Sequence, residues 1–141
     1  MARTATQAGP RLIALALPGT PESVPIARRR VRAALGLHGL GEFAEDAAII
    51  TSELVTNAVQ HACCDVTETV GVTLARASDS EAVIIAVSDS SPHGPAMRKA
   101  PAGSERGLGL RIVESLAVHW GWCPEPGGKA VFAILAGRTS A

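Results

Sequence analysis

At 141 residues the chain has the size of one domain and is long enough to bury a core. Its 13 basic and 13 acidic side chains cancel, which excludes a global basic field for nucleic acid. The few aromatic residues, Phe43, Trp120, Trp122 and Phe132, make no stacking platform for single strands, and no apolar run approaches the ~20 residues of a membrane span.

Met1 to Pro10 is small and polar and reads as a flexible N-terminus. Arg11 to Leu17 reads as a strand closed by Pro18-Gly19; it is too short for a signal-peptide core. Thr20-Pro21-Glu22-Ser23 is a helix-start signal, and the helix runs from about Val24 to Leu35 with Pro25 tolerated in its first turn. Val24, Ala27, Val31, Ala34 and Leu35 face inward. Arg28, Arg29, Arg30 and Arg32 lie outside, as a solvated face by default or, alternatively, as a docking patch for an acidic partner. Three glycines between Gly36 and Gly41 end this helix.

A second, longer helix spans about Glu42 to Cys63. Ala47, Ile50, Thr51, Leu54, Val55, Ala58, Val59 and Ala62 share one apolar face, and Ile49 has to find cover on the polar side. Glu53, Asn57 and His61 step four residues at a time along one border of that face, so each is the next one's neighbour. Two readings fit this border. One is a solvated helix edge, the usual place for Glu and Asn. The other is a magnesium and phosphate site, since Mg²⁺ takes hard oxygen ligands. Cys63, Cys64 and Cys123 are odd in number and lack metal-ligand spacing, which points to reduced thiols in a cytoplasmic protein.

Asp65 to Glu68 is turn-like. Val70 to Arg76 alternates as a strand, Ser78 to Glu81 is a turn, and Ala82 to Val87 is a more buried strand, so the two form a hairpin. It ends in Ser88-Asp89-Ser90-Ser91-Pro92. From Ser90 to Arg106 periodicity is lost among prolines and glycines, and a loop of that length suits a lid. Gly107-Leu108-Gly109-Leu110 opens a helix with Leu108, Ile112, Leu116 and Val113 inward. Trp120 to Trp122 starts a strand, Pro124 to Gly128 turns, and Ala130 to Leu135 is the last strand. A short tail, 137–141, follows the domain, 11–136.

Three features stand in a meaningful order. A Glu and Asn pair lies on a helix edge; an Asp ends a buried strand before an irregular loop; a Gly-x-Gly opens the following helix. The last is a physical anion site, because glycine admits close approach and the helix N-terminus offers unpaired N–H groups. Alone it is weak, being neither the full G-x-G-x-x-G fingerprint nor a Walker motif.

In this order the motifs resemble the Bergerat-fold (GHKL) ATP-binding proteins, and best the serine/threonine-protein kinase anti-sigma factors of bacteria. Glu53 to Ala62 resembles their N box, Asp89 sits where the Asp of their G1 box sits, and Arg106 to Val113 resembles their G2 box. The resemblance spans about Arg11 to Leu135. It implies an α+β two-layer sandwich: a mixed, mostly antiparallel sheet covered on one face by about three helices. It further implies ATP and Mg²⁺ as cofactors, with Glu53 as general base and Asn57 on the metal. Asp89 would hold the adenine amino group, while Arg106, Gly107, Leu108, Gly109 and Leu110 hold the phosphates, with His61 one turn past Asn57 as a further contact. The implied partners are a sigma factor and a STAS-type anti-anti-sigma antagonist, with a homodimer as the assembly and neither nucleic acid nor membrane bound directly. The chain departs from the pattern in two places. Ser90-Ser91-Pro92-His93-Gly94 follows Asp89 where Asp-x-Gly-x-Gly is usual, and Gly128-Lys129-Ala130 stands where relatives often carry Gly-Thr. A non-catalytic ATP-binding module and a detached histidine-kinase domain are the competing readings.

Overall fold

The computed structural model describes residues 8–61, 68–77, 81–91 and 108–137. Strand β1 (Ala8–Pro18) leads into helix α1 (Ser23–Leu37). A 3₁₀ turn, Gly41–Phe43, precedes α2 (Ala44–His61). Then come β2 (Thr69–Ala77), β3 (Ala82–Asp89), α3 (Leu108–Leu116), β4 (His119–Glu125) and β5 (Gly128–Ala136). The strands form one sheet in the order β1-β2-β3-β5-β4, antiparallel at every pairing. The expected two-layer α+β sandwich is therefore present.

The layers follow from strand alternation. Val70, Val72 and Leu74 of β2, Val83, Ile85 and Val87 of β3, and Val131, Ala133 and Leu135 of β5 are buried. They form one core with Val31 and Leu35 of α1, Ile50, Leu54 and Val55 of α2, and Leu110 and Val113 of α3. Fully burying a side chain such as Leu35, Ile50, Leu74 or Ile85 contributes about 1.5–3 kcal/mol each. β1 is an edge strand of the sheet. Its register shifts on both sides of Arg11, and Pro10 lies in the shifted stretch, which spoils a continuous edge for further pairing.

Several local expectations change. Ser23 does not act as a side-chain cap; its buried hydroxyl donates back to the Pro18 carbonyl at 2.5 Å and ties the start of α1 to the end of β1. Ile49 is covered only in part and stays 41% exposed, because it lies about 200° around the helix from buried Thr51. Ile112 also faces outward, since α3 buries Leu110 and Val113, three residues apart, and Ile112 falls outside their stripe. The arginine cluster divides. Arg28 donates to Ser52 Oγ of α2 at 3.3 Å and Arg32 pairs with Glu45 at 3.4 Å, so two of the four tie α1 to α2. Arg29 and Arg30 stay exposed.

Candidate functional site

The end of the central strand carries the chemistry. β3 and β5 pair so that Val83 faces Leu135, Ile85 faces Ala133 and Val87 faces Val131; the next pair in the same row is Asp89 with Lys129. The side-chain period of two thus puts a carboxylate and an ammonium on the helix-facing side, where the apolar row ends. Lys129 Nζ donates to Asp89 Oδ1 at 2.9 Å, with the two side chains 6% and 2% exposed. The Ser91 backbone N–H donates to the same Oδ1 at 2.9 Å, a turn in which Asp caps its own backbone two residues on. Ser90 Oγ donates to Glu68 Oε2, which pins the segment after β3 to the start of β2.

Gly128 makes this geometry reachable. A Cβ built there would stand 1.8 Å from the Asp89 carbonyl oxygen, so only glycine lets β5 approach the end of β3 this closely. The preceding Gly127 has φ of +83°, which closes the β4–β5 turn after Pro126.

β5 starts at Gly128, two residues before the start that the sequence pattern suggests, and this brings Lys129 into the strand. Extended backward, the alternation Lys129, Val131, Ala133, Leu135 puts a lysine on a core-facing position. A cation there requires a partner, and Asp89 ends the neighbouring buried strand.

The remaining site residues divide by element. Glu53 and Asn57 are half-buried, one turn apart on the border of α2, which packs against both β3 and α3. His61 is the exposed last residue of α2. Leu108 and Gly109 open α3, and Leu110 is buried in the core. Arg106, Gly107 and the lid beyond Ser91 lie outside the described residues, as do Cys63 and Cys64; Cys123 is exposed and free. Among the described residues no group of three His, Cys, Asp or Glu side chains converges on a metal position, and no helix is long and apolar enough to cross a membrane.

A family model described as histidine kinase-like ATPase domain matches residues 17–135, nearly the whole described fold. The chain belongs to that family. ATP is accordingly the nucleotide this ATPase domain implies. The domain is also similar to the crystal structure of the RsbU and RsbW domains of Rv1364c from Mycobacterium tuberculosis. The TM-score is 0.66 at 22% identity, over 91% of this chain and 32% of that one. It thus spans about a third of that protein's length, and the likeness is one of fold. A second match is the histidine kinase domain from the Erythrobacter litoralis EL346 blue-light activated histidine kinase. Its TM-score is 0.47 at 20% identity, over 96% of this chain and 65% of that one. No curated protein matches the chain.

The donors at the site suit a nucleotide. Asp89 keeps Oδ2 without a hydrogen bond among the described residues, an open acceptor at the end of an apolar row. An amide oxygen such as that of Asn57 suits Mg²⁺ beside phosphate oxygens and water.

Proposed function

We propose that the chain is an ATP-binding regulator of the anti-sigma-factor type, with serine/threonine-protein kinase activity toward an anti-anti-sigma antagonist. One observation carries the reading. The chain is a histidine kinase-like ATPase domain whose α2 border holds both Glu53 and Asn57, with Asp89 at the end of the adjoining central strand. The RsbW domain within the M. tuberculosis structure adds support from fold alone.

ATP supplies the transferable γ-phosphoryl group. Asp89 accepts from the base through Oδ2. Asn57 presents its side-chain oxygen to Mg²⁺. The N-terminus of α3, from Leu108 to Leu110, offers backbone N–H groups to the phosphates, and Gly107 and Arg106, next to it in sequence, add close approach and positive charge. Glu53 takes the proton from a serine or threonine hydroxyl of the antagonist. Positioning and charge do most of the catalytic work in such a transfer. Arg29 and Arg30, exposed on α1, and the β1 edge are the surfaces offered to a sigma factor or to a second copy. The setting is the cytoplasm.

Incubation with labelled ATP and a cognate STAS-type antagonist tests the reading. Label moves to the antagonist with wild type and not with Glu53→Ala; absence of transfer to any such partner refutes kinase activity. The buried Asp89–Lys129 pair favours a second reading, a non-catalytic ATP-binding module that controls its partner by binding alone, because Lys129 already occupies one oxygen of the carboxylate meant for the base. A Glu53→Ala variant with full regulatory function supports that module.

A further inference from the structure

The Asp89–Lys129 pair has unspent hydrogen-bonding capacity on both partners. Both bonds to the carboxylate fall on Oδ1, and among the described residues Oδ2 receives none. The ammonium gives one of its three protons to Asp89 and none to any other described residue. With side chains 2% and 6% exposed, water reaches little of either group. Buried charges are tolerated when their remaining lone pairs and protons are also satisfied, so an open acceptor beside open donors is an arrangement built to take a polar edge.

We infer that Lys129 is a base-reading residue that widens the site from adenine to purine nucleotides of both kinds. The inference rests on the nucleotide-site reading above. Asp89 alone offers only acceptors, which match the adenine 6-amino group and repel the guanine 6-oxygen. Lys129 adds a donor within 2.9 Å of the carboxylate, close enough for one base edge to touch both. Adenine donates its 6-amino proton to Asp89 Oδ2 and accepts at N1 from Lys129 Nζ. Guanine donates N1–H to Asp89 Oδ2 and accepts at its 6-oxygen from Lys129 Nζ. Both bases present a donor next to an acceptor, in opposite order along the edge. The flexible lysine stem and its rotatable protons accommodate either order, which a fixed hydroxyl at this position does not. The charge also strengthens the contact, since hydrogen bonds to ionised groups discriminate by about 10- to 100-fold.

Calorimetric titration of the full chain with ATP and GTP, in wild type, Lys129→Thr and Lys129→Gln, tests this. Wild type binds ATP and GTP with dissociation constants within about tenfold of each other. Lys129→Thr binds ATP more weakly than wild type, and its GTP-to-ATP ratio of dissociation constants still rises at least about tenfold. Lys129→Gln, which retains an N–H donor, stays nearer to wild type. A ligand-side readout needs no variant: 1-deazaadenosine triphosphate, which lacks the N1 acceptor, binds wild type at least about tenfold more weakly than ATP. The inference is overturned if wild type rejects GTP by the same factor as Lys129→Thr. It is equally overturned if wild type binds no nucleotide while Lys129→Thr gains ATP, which makes the lysine a plug. If neither protein binds ATP or GTP, the nucleotide-site reading itself falls and takes the inference with it.

Discussion

Replacing Lys129 with methionine removes the charge paired with Asp89 while keeping a flexible stem of similar volume. The carboxylate left behind is 2% exposed, so water does not take over the lost contact. Breaking a buried pair by deleting one partner costs about 3–5 kcal/mol, far above the ~0–1 kcal/mol of a surface pair. Asp89→Asn leaves the opposite charge unpaired and costs a comparable amount. The double variant carries no charge and packs nearly the same volume, so it falls within about 1 kcal/mol of wild type or above it. The expected coupling between the two sites is therefore several kcal/mol, which a double-mutant cycle resolves easily. A domain of 141 residues has a stability of roughly 7–20 kcal/mol, so the single variants remain folded at 25 °C. Urea unfolding with linear extrapolation measures all four proteins. A loss under about 1 kcal/mol for Lys129→Met, or losses that simply add in the double variant, refutes the idea that the pair is buried and mutually dependent.

Two glycines with crowded surroundings separate by what crowds them. Gly128→Ala drives a Cβ into the Asp89 backbone and costs about 3 kcal/mol in urea unfolding; Gly71→Ala meets only the Ser88 hydroxyl, which rotates away, and costs less than about 1 kcal/mol. Thr51 is fully buried and its Oγ1 has no hydrogen-bond partner among the described residues, so Thr51→Val raises the unfolding free energy by about 1 kcal/mol; a loss of stability shows a partner for that hydroxyl. Asn57→Ala, at a half-buried helix edge, shifts stability by less than about 0.5 kcal/mol yet removes the Mg²⁺-dependent part of ATP binding in paired titrations; unchanged Mg²⁺ dependence takes Asn57 off the metal.

The local devices were legible in the residue order. The apolar stripe of α2 from Ala47 to Ala58, the alternation of β2 and β3, and the place of Asp89 at a strand end all follow from periods of 3.6 and 2, which depend only on neighbours along the chain. The outward turn of Ile112 and the exposure of Ile49 were not legible, because which flank of a helix is covered depends on what packs against it. Strand order was decided by the tertiary fold: β5 enters between β3 and β4, bringing Lys129 to a residue 40 positions earlier. An ion pair between such distant positions exists only once the sheet has chosen its neighbours and register. The sequence alone therefore determined that a carboxylate ends a buried strand, while the three-dimensional pairing determined which cation it meets.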